Sequence, residues 1–285
     1  MGCSCSTDDS ALVAADAAGE RGAPPVRARK GRTASAVIKR AEASGVLALM
    51  DMSLTAVPIA VEQLTGLRHA DLSSNRLTSV PAWLFTHMGK LQKLNLHRNS
   101  LHELPSASML LPSLLHLNIS SNRLTALPES ICALTKLRDL NASHNLIDSL
   151  PSGIDALAAL EDLDLSHNRL TEDALPYPSF FSMPALMRLN LSHNALRRLP
   201  VAFSEMARLV KLDVSHNKIA SVPPEVLRDS RLNELWLQGN AKALDRVSLK
   251  ETEGIDAFLE RRKRRIDKKI DSKMADIDLN LCGLE

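Results

Sequence analysis

The sequence predicts an α/β fold: a solenoid, or horseshoe, of stacked units whose short strands form one parallel concave sheet, capped by a C-terminal helix. Three observations carry that prediction. A motif of Leu, two residues, Leu, one residue, Leu, two residues, Asn returns along residues 44–240 and marks Asn75, Asn99, Asn122, Asn145, Asn168, Asn194, Asn217 and Asn240. Successive spacings are 24, 23, 23, 23, 26, 23 and 23 residues, the fixed period of a repeat architecture. Aromatic residues make up only 3% of the chain, which suits a core filled by repeated leucines better than an ordinary globular core.

The stretch from Leu137 to Leu160 shows the physics of one unit. Alternation around Leu140 and Ala142 has the period of two of a short strand with one buried face. Asn145 stands where the chain leaves that strand, and its amide both accepts from and donates to backbone groups of the neighbouring turns. Ile147 and Leu150 turn inward again, Pro151 fixes the exit, and Ile154 and Leu157 line the convex return before Leu160 opens the next unit. No unit of this size covers its own leucines, so each is stable only against its neighbours. The period is that of leucine-rich repeats, about 20–29 residues.

From the N-terminus, Met1-Gly2-Cys3-Ser4-Cys5-Ser6 fits an N-myristoylation start, with Gly2 as the acceptor and Ser6 at the favoured position. One myristoyl chain binds membranes only marginally, at about 10⁴ M⁻¹, and palmitoylation of Cys3 and Cys5 supplies a second signal. Residues 1–40 read as a disordered tether whose basic side chains, Arg21, Arg27, Arg29, Lys30, Arg32, Lys39 and Arg40, suit an anionic leaflet. Residues 41–246 read as the solenoid: an imperfect first unit with Met52 at the ladder position, as in a cap, followed by units opening at Leu67, Leu91, Leu114, Leu137, Leu160, Leu186, Leu209 and Leu232. The longest spacing falls around Ala174-Leu175-Pro176-Tyr177-Pro178, which is expected to bulge outward and carries the only tyrosine. Residues 247–274 place Ile255, Phe258, Leu259, Ile266 and Ile270 on one helical face, as a helix closing the last repeat does. Residues 275–285 read as a flexible tail.

The formal net charge of +2 implies no particular partner. Cys3, Cys5, Cys132 and Cys282 show no metal-ligand or disulfide spacing, and no apolar run reaches the length of a membrane span. With no secretory hydrophobic segment near Met1, the expected setting is reducing and cytosolic.

The units Leu127-Pro128 to Leu134 and Leu150-Pro151 to Leu157 carry Leu-x-x-Leu-Pro-x-x-Ile-x-x-Leu, which resembles the repeats of intracellular Ras-adaptor and Ras-suppressor proteins. The start Met1-Gly2, the first unit around Gly45-Val46 to Pro58 and the tail from Leu249 through Ile255 to Arg261 together resemble the leucine-rich repeat-containing protein 57 family. That resemblance implies an intracellular, acylated, non-enzymatic protein. The longer Ala- and Arg-rich tether and the paired cysteines after Gly2 depart from it.

On the concave strands, side chains pointing away from the leucines form columns about 4.8 Å apart. Asp71, Asn95, Asn118, Asn141, Asp164, Asn190 and Asp213 form one column, a run of serines a second, and His144, His167, His193 and His216 a third. Repeat duplication explains the histidines, and a linear ladder does not make a tetrahedral metal cage, so no metal ion or cofactor is expected. Specificity is sought in the column that varies, which includes His69, Lys93, His116, Asp139, Asp162, Arg188, Lys211 and Glu234. With Glu161 and Asp164 it reads as an acidic centre flanked by Lys93 and Arg98 on one side and by Arg188 and Lys211 on the other. Trp236 is either an exposed contact residue or part of the cap.

The candidate partner-binding residues are therefore Lys93, Asp139, Glu161, Asp162, Asp164, Arg188, Lys211 and Trp236. No phosphate loop or acid–base constellation appears, and the basic run Arg261 to Lys269 lacks the interleaved aromatics of nucleic-acid readers. The expectation is a monomeric, non-enzymatic scaffold at the cytoplasmic face of a membrane, foremost the plasma membrane, with a cytosolic pool. It binds a cytosolic protein on its concave face in signal transduction and binds no nucleic acid. The alternative is a soluble regulatory subunit of a phosphatase or small-GTPase complex.

Overall fold

Each unit lays down one three-residue strand before its Asn turns the chain, and the computed structural model, which describes residues 33–106, 109–242, 244–271 and 282–283, shows what that rule builds. The strands are β1 (Val46–Ala48), β2 (His69–Asp71), β3 (Lys93–Asn95), β4 (His116–Asn118), β5 (Asp139–Asn141), β6 (Asp162–Asp164), β7 (Arg188–Asn190), β8 (Lys211–Asp213) and β9 (Glu234–Trp236). They form one parallel sheet in chain order. The middle residue of each strand is buried, leucine everywhere except Ala70 in β2, and its two neighbours face outward.

The eight asparagines form the expected ladder. In unit after unit the amide nitrogen donates to the strand-exit carbonyl of its own turn and to that of the preceding unit, as Asn145 Nδ2 does to Ala142 O at 3.0 Å and Ile119 O at 3.1 Å. The amide oxygen accepts from a backbone N–H of the preceding unit, here Leu124 N at 3.0 Å. The bonds thus reach backward and into the asparagine's own turn; none extends to the following unit. Most strand-exit carbonyls therefore receive two amide donors, which satisfies these backbone acceptors.

The convex side returns through short helical segments that begin just after proline. Examples are the 3-10 turns Ile59–Gln63, Glu129–Ala133 and Val201–Glu205 and the single helical turn α2 (Trp83–Thr86). The long fifth spacing does not simply bulge. It folds as two 3-10 turns, Glu172–Ala174 and Ser179–Ser182. Phe180 and Phe181 are buried there and meet Phe203 edge-on at centroid distances of 6.5 and 5.1 Å. Tyr177 stands out, 71% exposed.

Both ends differ from their sequence reading. At the N-terminus, α1 (Ala34–Ser44) buries Ala41, lays Val37 and Ile38 on the core and lies against β1. The stretch expected as tether, 1–40, therefore becomes helix from Ala34, and residues 1–32 lie outside those described. At the C-terminus, α3 (Pro224–Arg228) precedes β9, and the single helix expected over 247–274 is two: α4 (Arg246–Glu251) and α5 (Ile255–Asp271). The break falls at Gly254, whose φ of +86° and close approach to α3 exclude a side chain: a Cβ there would stand 2.8 Å from Arg228 Cβ and 2.9 Å from Pro224 O. Asp245 and Ser248 start α4 with a capping box.

The α5 helix closes the core with Ile255 and Phe258, while Leu259 is exposed. Its basic run is partly structural. Arg261 donates to the carbonyls of Leu232 at 3.0 Å, Arg228 at 3.1 Å and Leu227, which terminates α3 with a guanidinium. Arg265 binds Asn233 Oδ1 at 3.1 Å and the Glu234 carboxylate. Of the tail expected to be flexible over 275–285, Cys282 and Gly283 are described. Cys282 is buried, and its carbonyl accepts from Leu237 N at 2.9 Å, the place a further unit would fill.

Candidate functional site

The strand register decides which exposed side chains become neighbours. Val46, His69, Lys93, His116, Asp139, Asp162, Arg188, Lys211 and Glu234 pair in that order across the sheet, so the variable residues of the sequence form one continuous column. Val46 heads it, a member missed in the sequence because its unit lacks the ladder Asn; a step of one period back from His69 would have found it. The column Asp71, Asn95, Asn118, Asn141, Asp164, Asn190 and Asp213 runs alongside and ends at Trp236.

That second column is constant for a local reason. The side-chain oxygen accepts from the backbone N–H of the residue two positions on, His97 for Asn95 and a serine in the other units, and mostly also from that serine's hydroxyl, as Asn141 Oδ1 does from Ser143 N at 3.1 Å and Ser143 Oγ at 2.7 Å. These Asx turns tighten the exit from each strand, and the serines beneath are buried.

A concave groove of about 370 Å³ lies over β5–β8, lined by Asp139, Asn141, Asp162, Asp164, Arg188, Asn190, Lys211 and Asp213 with the strand leucines as its floor. Five of the expected contact residues meet there: Asp139, Asp162, Asp164, Arg188 and Lys211. Lys93 is exposed on the column outside the groove. Glu161 lies off the column and pairs with Arg138 at 3.6 Å. Trp236 is half-buried, and a Cβ on Gly283 would come within 3.3 Å of its ring.

The acidic centre is largely neutralised from within. His116 Nδ1 meets the Asp139 carboxylate, the Arg188 guanidinium grips Asp162 with two nitrogens, and Lys211 lies 3.6 Å from Glu234, which also holds Arg265. Two of the charges expected to flank an acidic patch, Arg188 and Lys211, instead pair strand to strand along the column. Burial raises the Asp139 carboxyl above the usual range, the neighbouring Asp162 adds to the rise, and His116 opposes it. The Asp162 carboxylate raises the Arg188 guanidinium above its ordinary value.

The four histidines sit at the turn beside these columns, all in the left-handed region at φ 52–53° and exposed. Their rings stack face to face at centroid distances of 4.0, 3.9 and 4.1 Å. Burial first, and the neighbouring imidazoles next, hold His167 and His193 below the ordinary histidine value. Among the described residues no group of three or more His, Cys, Asp or Glu is placed to hold a metal ion. The two described thiols are poor nucleophiles: burial, with Glu129 and Asp155 adding to it, pushes Cys132 up to about 11, and burial pushes Cys282 up to about 12. The expected lipidation sites Gly2, Cys3 and Cys5 lie outside the described residues.

A leucine rich repeat family model matches residues 65–124, 112–170 and 173–219, and a second model of the same repeat matches 159–182. No curated protein matches the chain. Among solved structures, the chain is similar to the TDR receptor, at 27% identity over 68% of this chain and 34% of that one, with a TM-score of 0.60. It is similar to the plant peptide hormone receptor RGFR1 in complex with RGF2, at 30% identity over 65% of this chain and 30% of that one, with a TM-score of 0.55. The ectodomain of the Arabidopsis thaliana receptor kinase GASSHO1/SCHENGEN3, in complex with CASPARIAN STRIP INTEGRITY FACTOR 2, matches at 31% identity over 65% of this chain and 23% of that one, with a TM-score of 0.56. The chain thus spans about a third or less of the length of these structures.

Proposed function

The chain belongs to the leucine-rich repeat family, whose members are in general protein-interaction scaffolds, and from that premise we propose that it is a non-catalytic adaptor that binds a protein or peptide on the concave face of β3–β8. The observation that carries the reading is the in-register variable column above the groove. It is a surface of fixed backbone on which only side chains that no turn requires have been varied. The similar receptors in complex with RGF2 and with CASPARIAN STRIP INTEGRITY FACTOR 2 support it, since the repeats there carry a partner. Because Asp139 and Asp162 already meet His116 and Arg188, binding selects a partner whose charges alternate as these do, rather than a purely basic one.

The same proposal places the adaptor at the cytoplasmic face of a membrane, held through Gly2, Cys3 and Cys5, in the manner of the intracellular Ras-suppressor-type repeats and the leucine-rich repeat-containing protein 57 family. The residues supporting it are the acylation start and the Leu-Pro-x-x-Ile return. Gly2→Ala is expected to move the protein from the membrane pellet to the soluble fraction, and unchanged pelleting would contradict the lipid part alone.

Affinity capture from cytosol tests the concave part. Wild type and the convex variant Glu129→Lys are expected to retain the same partner, and Asp139→Lys with Asp162→Lys is expected to lose it. Identical partner sets for all three would contradict binding on this face.

A further inference from the structure

Two columns of the turn that follows each strand share one flank of the solenoid. The backbone N–H groups of Arg98, Ser121, His144, His167, His193 and His216 each donate to the unit ahead, which puts these residues in line. Arg123, Arg169 and Lys218 donate to the unit behind and form a parallel line beside them. All three are exposed, and among the described residues none has a carboxylate partner.

The imidazoles spend their faces on one another, so what they show to solvent is a row of ring edges, each with a protonatable nitrogen. At one end the stack is closed by Gly239, where a Cβ would fall 2.4 Å from His216 Nδ1. The charged groups that act on His167 and His193 from the strand side are Asp164 and Asp213, while Arg123, Arg169 and Lys218 each follow two residues after Ser121, His167 and His216 in their turns, with Arg98 one unit before Ser121. The two aspartates are already engaged by the amide groups of Ser166 and Ser215.

We propose that this flank docks onto an anionic phospholipid leaflet, with Arg123, Arg169 and Lys218 supplying permanent charge and the four stacked imidazoles taking up protons on contact. It deepens the membrane side of the function proposed above, although the contact needs no acyl chain. Charge complementarity selects the occupant. Protonation adds positive charge to the flank, and an anionic surface at about −30 mV concentrates protons by about half a pH unit. A nucleic-acid strand fits less well, because ring faces already stacked on each other leave no platform for bases.

The test uses the full chain made in a host without N-myristoyltransferase, so failure of the acylation reading does not affect it. Sedimentation with phosphatidylcholine vesicles, with and without phosphatidylserine, is compared at pH ~7.5 and ~5.5. Binding to the phosphatidylserine vesicles is expected to rise about tenfold or more on acidification. On pure phosphatidylcholine it is expected to stay negligible. Replacing all four histidines by Asn, which tolerates the left-handed turn, is expected to remove the rise and preserve binding at neutral pH. Arg123→Gln with Arg169→Gln and Lys218→Gln is expected to weaken binding about a hundredfold at both pH values, from about fivefold per cation. Basic residues of the N-terminal 40 do not titrate in this range, so a rise kept by the four-Asn variant, or binding unchanged in the three-Gln variant, overturns the proposal. So does an acid-induced rise seen with a short DNA duplex and not with vesicles.

Discussion

Replacing Asn145 separates the two jobs of the ladder amide. In Asn145→Ala, Ile119 O keeps the Asn122 amide at 2.9 Å and Ala142 O keeps the Asn168 amide at 3.1 Å. Only the Leu124 N–H, which bonds Asn145 Oδ1 at 3.0 Å, loses its partner. One orphaned buried donor costs about 1–3 kcal/mol. Asn145→Asp restores that acceptor but turns a carboxylate oxygen toward three carbonyls, of Ile119, Ala142 and Ser143, where an NH₂ group stood. An uncompensated buried charge costs about 3–5 kcal/mol. The isosteric change is thus expected to be the more damaging of the two at neutral pH. The introduced carboxyl must have a folded-state pKa above its unfolded value, so the folded form binds the proton more tightly and the deficit shrinks as pH falls through the folded value. Urea unfolding followed by circular dichroism at pH ~7 and ~4 measures both differences against wild type. Equal stabilities at neutral pH, or a deficit in Asn145→Asp that does not change with pH, would refute the account of the ladder.

Three further outcomes follow from the same geometry. Arg261→Met keeps the apolar stem but strips three carbonyls of their donor, and is expected to lower stability by about 2–3 kcal/mol in thermal unfolding, with Arg261→Lys recovering only part because one ammonium does not span all three. Gly254→Ala forces a side chain into backbone atoms of α3 at a positive φ, and is expected to cost about 1–3 kcal/mol and to speed amide exchange in α5 well ahead of the central strands. His167 and His193 have lowered folded-state values, so the stability they contribute is present above the unfolded histidine value of about 6.5 and is lost as pH falls below it. The Tm of the wild type is accordingly expected to drop between pH ~7.5 and ~5 by more than that of a variant with Asn at all four ring positions.

The ladder asparagines, the buried leucines and the order of the strands were legible in the sequence, because each depends on a residue type recurring at one spacing. Whatever depends on contacts between units was not. Asp162 and Arg188 stand 26 residues apart in the chain, and only the parallel register shows that they are adjacent and cancel. The histidine column was visible as a list, but ring stacking follows from the left-handed turn that aims all four side chains alike. The burial of Phe180 and Phe181, just after the stretch Ala174 to Pro178 that was expected to bulge, was not legible, since a locally longer spacing says nothing of which side it fills. The α1 helix was hidden because a helix that caps an end has one narrow apolar stripe, here Val37, Ile38 and Ala41, and no repeat to mark it. Splitting of the C-terminal helix rests on Gly254 approaching α3, a contact between distant segments.

The claim that the concave column is the contact surface is tested most directly by site-specific photo-cross-linking. A photoreactive side chain is placed in turn at Asp139, Arg188 and Lys211 in the groove, and at Glu129, Ser152 and Val201 on the convex return. The three groove positions are predicted to capture one and the same partner, and the convex positions none. Capture from the convex positions alone, with the groove silent, would contradict the account.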